Sequence, residues 1–104
     1  MDDEWVTTSH ARQRQARRNL SDDDIEFVIA HGQRKYCGGA VHYFLGRRNL
    51  PTDRATYQRY SHLEGTVLVM REEAGAWILI TTYRNRSASR HFRQKTRYSQ
   101  PRNH

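Results

Sequence analysis

The spacing of apolar residues along the chain changes period more than once, and each change predicts an element. In "NLSDDDIEFVIAHG" the residues Ile25, Val28 and Ile29 fall at i, i+3 and i+4, one stripe of a helix. Ser21 stands before the stripe as N-cap, Asp22, Asp23 and Asp24 complement the positive end of the helix dipole, and Gly32 stops the helix. Leu20 is placed to fold back onto Ile25 as a hydrophobic staple. The preceding stretch, "TTSHARQRQARRNL", offers only Ala11, Ala16 and Leu20 as apolar residues after its start. It predicts a mostly polar helix over about 8–18, joined to the next by a very short turn so that the two form a helical hairpin.

After Gly32 the period shortens to two. "QRKYC" leads through Gly38 and Gly39 into "AVHYFLGRR", where Val41, Tyr43 and Leu45 alternate with His42 and Phe44; the glycine pair marks a hairpin turn. "NLPTDRATYQRYSHLEG" is polar, carries Pro51 at its opening and has no sustained period, which predicts a loop with room for one helical turn. "TVLVM" and "AWILITTYRN", joined around Ala74 and Gly75, form a second hairpin whose last strand is the most apolar of all and is expected to be central. The fold expected is α+β: an N-terminal helical hairpin packed on a four-stranded antiparallel sheet.

Composition narrows the class. A chain of 104 residues with 36% apolar residues and a mean hydropathy of −1.03 holds one small core. No apolar run reaches the roughly 18–20 residues that span a bilayer, and "MDDEW" lacks the features of a signal peptide, so a soluble cytoplasmic protein without membrane contact is expected. Cys37 is the only cysteine and suits a small, half-buried side chain.

Charge divides the chain. All 11 acidic residues lie at or before Glu73 and are matched there by as many bases, so the net charge of +7 comes from Arg84, Arg86, Arg90, Arg93, Lys95, Arg97 and Arg102. With Tyr83, His91, Phe92 and Tyr98 among these bases, the end of the chain suits a polyanion, cations meeting phosphates and rings stacking on unpaired bases. A solubilising tail, or a helix on an acidic partner, fits the same charges. The division expected is a frayed start over 1–7, in which Trp5 is suited to packing under the sheet, a single domain over 8–85, and a basic C-terminal arm over 86–104.

The pattern Ser9-His10-Ala11-x-x-Arg14, the pair Arg17-Arg18 before Leu20-Ser21, the helix ending at Gly32, the "GAVHYFLGRR" strand and "TTYRN" resemble a family of small bacterial proteins known as a domain of unknown function. The order of its elements is similar to the RelE, ParE and BrnT toxins and, more distantly, to the metal-independent ribonucleases that include barnase. The resemblance implies a RelE-like fold and an RNA-cleaving toxin of a toxin–antitoxin system, whose partners are RNA, on or off the ribosome, and an acidic antitoxin or immunity protein.

Metal-free RNA cleavage needs a base for the ribose 2′-hydroxyl, a cation for the pentavalent phosphorane and an acid for the leaving 5′-oxygen. His10, Arg14 and Arg17 stand at i, i+4 and i+7 on one helical face, where an imidazole and guanidiniums converge on a phosphate. On the last strand Thr81, Tyr83 and Asn85 alternate with Thr82 and Arg84. The candidate catalytic set is therefore His10 as acid or base, Arg14 and Arg17 as phosphate holders, and Tyr83 as hydrogen-bonding or proton-transfer partner. Arg18, Arg84, Arg86, Arg90, Arg93 and Lys95 are the candidate RNA contacts. Each has a plainer alternative: His10 as a solvated N-terminal side chain beside Ser9, Arg14 as a strut to Asp22, Asp23 or Asp24, and Arg84 as part of the arm. Tyr43, His42, Tyr57, Tyr60 and His62 suit either a cleft or the core margin, and His31 fits as a cation at a helix C-terminus. No zinc-like spacing, glycine-rich phosphate loop or nucleophile motif is present, and no cofactor or metal is expected. The alternative function is a non-catalytic RNA-binding or protein-interaction module.

Overall fold

The structure, a computed structural model, describes residues 5–85. Its elements run β1 (Trp5–Thr7), α1 (Ser9–Arg17), α2 (Asp22–His31), β2 (Gln33–Cys37), β3 (Ala40–Phe44), α3 (Arg54–Tyr60), β4 (Thr66–Glu73) and β5 (Ala76–Arg84), with 3₁₀ turns at Arg47–Asn49 and Ser61–Leu63. The α+β class holds, and the sheet corrects the expectation of four antiparallel strands. It has five, in the order β1-β5-β4-β3-β2, and β1 runs parallel to β5. The start expected to fray thus contains a strand. Trp5, Val6 and Thr7 pair with Trp77, Ile78 and Leu79, and Trp5 packs against the core. Because β1 occupies its outer side, β5 is interior, while the middle of the sheet belongs to β4.

The helical hairpin is corrected as well. α1 lies over β5, and α2 over β4 and β3, so each helix is anchored on the sheet rather than on the other. The turn between them is a Schellman closure: the N–H of Leu20 donates to the Gln15 carbonyl (2.9 Å) and that of Asn19 to Ala16 (3.1 Å). Asn19 takes a positive φ of 59°, which a short polar side chain tolerates. α2 then starts on a full capping box, Ser21 Oγ accepting from the Asp24 N–H and the Asp24 carboxylate accepting from the Ser21 N–H, both at 3.0 Å.

The main core lies between helices and sheet: Ala11 from α1; Ile25, Phe27 and Val28 from α2; Val41 and Tyr43 from β3; Leu68 and Met70 from β4; and Leu79 from β5, extended by Leu45, Leu50 and Leu63, while Phe44 and Val67 form a second, small cluster. Leu20 packs at its margin beside the fully buried Ile25, as the staple requires. The segment read as a loop is a correction of its own. Asp53 accepts from the Thr56 N–H (3.0 Å) and caps α3, a helix without a single buried residue. It is held through its own last two residues, Tyr60 stacked on Phe27 of α2 at 3.9 Å and Arg59 and Tyr60 donating to the Asp23 carboxylate at 3.0 and 2.6 Å. Tyr43 and Tyr60 therefore belong to the core and its margin, and the His31 ring lies 4.3 Å from Phe27.

Candidate functional site

One residue fixes where α1 meets the sheet. Thr8 closes the β1 pairing through its N–H to the Leu79 carbonyl (3.2 Å), and its hydroxyl accepts from the Ala11 N–H (3.0 Å) as the helix N-cap. The same hydroxyl reaches the Ile80 carbonyl at 3.4 Å. Opposite this junction β5 carries a bulge. Met70 pairs with Leu79 but Val69 pairs with Thr81, leaving Ile80 as an extra residue. β1 has ended by then, so beyond Leu79 this side of β5 has no strand partner among the described residues. The first turn of α1 stands at that open edge.

There His10 Nε2 lies 3.4 Å from Thr81 Oγ1. At about 100° per residue, His10, Arg14 and Arg17 share one flank of α1, while Arg12 lies on the opposite flank, toward α2. The contacts agree: Arg12 stands 3.8 Å from Asp22, across from the His10 flank. The strut alternative for Arg14 is not taken up, because the three aspartates are engaged elsewhere. Asp22 accepts from Gln15 (2.8 Å), Asp23 from Arg59 and Tyr60, and Asp24 from the capping box. Among the described residues no carboxylate pairs with Arg14, Arg17 or Arg18.

Tyr83 lies two residues beyond Thr81 on the same side of β5, a spacing of roughly 7 Å. Cross-strand register sets that side. Tyr83 pairs with Val67 and Val67 with Phe44, one row across the sheet, whereas Thr82, Leu68 and Tyr43 form the neighbouring row that faces the helices. Tyr83 is exposed, and its phenol makes no hydrogen bond among the described residues. Thr82, fully buried, donates its hydroxyl to the Val67 carbonyl at 3.0 Å. The structure thus brings His10 to Thr81, sets Arg14 and Arg17 along the same flank of α1, and leaves Tyr83 one strand repeat further on, in the row turned away from the helices.

Arg84 has a different place from the flank arginines. Its Nε and Nη2 donate to the carbonyls of Glu64 (3.2 Å) and His62 (2.9 Å), which ties the end of β5 to the Ser61–Leu63 turn. Arg86, Arg90, Arg93 and Lys95, and the arm as a whole, lie outside the described residues. Thr81 was missed as the partner of His10. Its only sequence signal was its place on the Tyr83 face, since the two residues are 71 positions apart. Among the described residues no helix is long and apolar enough to cross a membrane, and no group of three or more His, Cys, Asp or Glu is placed to hold a metal ion.

Fold and site define a small α+β protein whose first helix presents a cationic flank at the open edge of a mixed sheet. The model of the family described as Domain of unknown function (DUF4258) matches residues 7–84, well over half of the chain, and the protein belongs to that family. Comparison with curated proteins and with solved structures gives no match.

Proposed function

We propose that the protein is a toxin-like, metal-independent endoribonuclease. The observation that carries this is the junction at the open edge of β5: an exposed imidazole 3.4 Å from Thr81 Oγ1, with two arginines on its flank that no carboxylate among the described residues neutralises. A free guanidinium beside an imidazole is what a phosphodiester in reaction requires. In this scheme His10 takes the proton of the ribose 2′-hydroxyl, whose oxygen attacks phosphorus. The bond to the 5′-oxygen breaks, and the Tyr83 phenol, or His10 once protonated, supplies the proton to that leaving oxygen. Arg14, one turn or about 5.4 Å from His10, holds the charged phosphorane, and Arg17, a turn further, holds the next phosphate along. Thr81 orients the imidazole.

With the toxin class come its partners: RNA, and an acidic antitoxin segment lying over the same cationic flank in the cytoplasm. Arg18 and the arm are then further phosphate contacts. The test is incubation of the purified protein with RNA in a chelator. Cleavage by the wild type, lost in both His10→Ala and Arg14→Ala, is the expected result. Intact RNA bound by all three proteins leaves the non-catalytic RNA-binding module in its place.

A further inference from the structure

A second feature lies at the other end of β5. The β2–β3 turn at Gly38 and Gly39 and the β4–β5 turn at Ala74 and Gly75 fall at the same end of the sheet, since Cys37 pairs with Ala40 and Glu73 with Ala76. Beside them is a cleft of about 310 Å³ lined by Arg34, Tyr36, Val41, Arg71, Glu72 and Trp77. Tyr36 is 73% exposed, the most exposed large apolar side chain among the described residues. The Arg34 guanidinium stands over the Trp77 ring at 5.7 Å from its centroid. Arg71 is held by Glu73 at 2.9 Å, whereas Arg34 and Glu72 line one cleft without pairing to each other or to any described residue.

We infer that this cleft binds one unpaired nucleotide of an RNA strand, its base against Trp77 and Tyr36 and its phosphate on Arg34. A base stacked on Trp77 takes the place that the Arg34 guanidinium now fills at 5.7 Å from the ring centroid, and the long arginine side chain turns outward to meet the phosphate of the same nucleotide. Aromatic rings beside a guanidinium accept a base of any sequence. The carboxylate of Glu72 repels a bare phosphate, yet accepts from the N–H groups of a base edge, so the walls favour a ligand that separates its anion from its donors. Trp77 precedes Tyr83 by six strand residues, or about 20 Å along β5, and the bulge at Ile80 sets the two side chains on opposite faces of the sheet, so a strand joining them passes around the open edge of β5. The identity of the polymer rests on the RNA reading above; the site itself needs no catalysis.

The test separates the two. A fluorescently labelled, fully 2′-O-methylated single-stranded hexamer has no free 2′-hydroxyl to attack with, so its anisotropy reports binding alone. Arg34→Ala and Tyr36→Ala are expected to weaken its binding roughly ten-fold each, and to slow cleavage of ordinary RNA through KM rather than kcat. In a Trp5→Phe background the hexamer is expected to quench Trp77 emission, with inorganic phosphate or a poly-glutamate peptide producing no such change. Quenching that persists while RNA stays uncut removes the nuclease and keeps the cleft. Cleavage with no quenching, wild-type affinity in both cleft variants, or equal quenching by phosphate or by the acidic peptide overturns the nucleotide site.

Discussion

Gly32 looks in the sequence like a helix stop of the usual kind, a residue with access to positive φ. Its φ is −71° and ψ 160°, extended backbone that alanine adopts freely. Its smallness serves close approach instead: a Cβ at this position falls 2.6 Å from the Val28 carbonyl oxygen and 3.2 Å from that of Phe44. Both are backbone atoms, one in the last turn of α2 and one at the end of β3, so relief requires moving the helix relative to the sheet. Gly32→Ala gains about 0.4–1 kcal/mol from the narrower unfolded ensemble and loses about 1–3 kcal/mol to overpacking. The net expectation is a destabilisation of about 1–2 kcal/mol, which in a domain of this size lowers Tm by roughly 5–15 °C. Thermal unfolding followed by circular dichroism measures it, with urea unfolding as the check on ΔG. A Tm equal to or above wild type refutes the close-approach account and returns Gly32 to a mere punctuation mark.

Three further outcomes follow from local geometry. Ala74 sits in the β4–β5 turn at φ 52°, a conformation that costs an L-residue about 1 kcal/mol, so Ala74→Asn or Ala74→Gly is expected to raise Tm by several degrees; no gain contradicts this. The Tyr60 hydroxyl holds the Asp23 carboxyl below the usual carboxylate range, with Arg59 adding to the effect, and Asp23 in turn raises the Tyr60 phenol. Asp23 contributes stability above the ordinary carboxylate pKa and loses it as pH falls through the lowered value, below about pH 4. Tyr60 contributes below about pH 10 and loses it as pH rises through its raised value. Tyr60→Phe should therefore flatten the acid side of a plot of Tm against pH, and an unchanged slope removes the linkage. Arg17→Ala is expected to leave stability within about 0.5 kcal/mol, because no ion pair among the described residues is lost, while reducing the slope of log K against log salt by about 0.7 in binding to single-stranded RNA. An unchanged slope takes Arg17 out of the phosphate contacts.

Much of this was legible because local signals agreed with the fold. Ser21, the aspartates and the Ile25-Val28-Ile29 stripe specify α2 without outside help, and the glycine pair specifies the β2–β3 turn. β1 carried no such signal. Three residues, Trp5 to Thr7, become a strand only through a parallel partner more than 70 positions away, and no local period announces that. α3 was hidden for the complementary reason, since it buries no residue, lacks an apolar stripe, and is held through its capping Asp53 and the side chains of Arg59 and Tyr60. At the candidate site, helical spacing alone placed His10, Arg14 and Arg17 on one flank. The bulge at Ile80 and the Thr8 anchor, which bring that flank to Thr81, arise from pairing between distant segments. The Arg34–Tyr36–Trp77 cleft was illegible because its walls come from separate strands.

The most direct measurement of the central claim is the chemistry of the ends left on RNA by the purified protein in excess chelator. Attack by a 2′-oxygen activated at His10 leaves a 2′,3′-cyclic phosphate and a 5′-hydroxyl, formed by wild type and by Arg34→Ala but not by His10→Ala. Products bearing 5′-phosphates, or cyclic ends formed equally well by His10→Ala, contradict it.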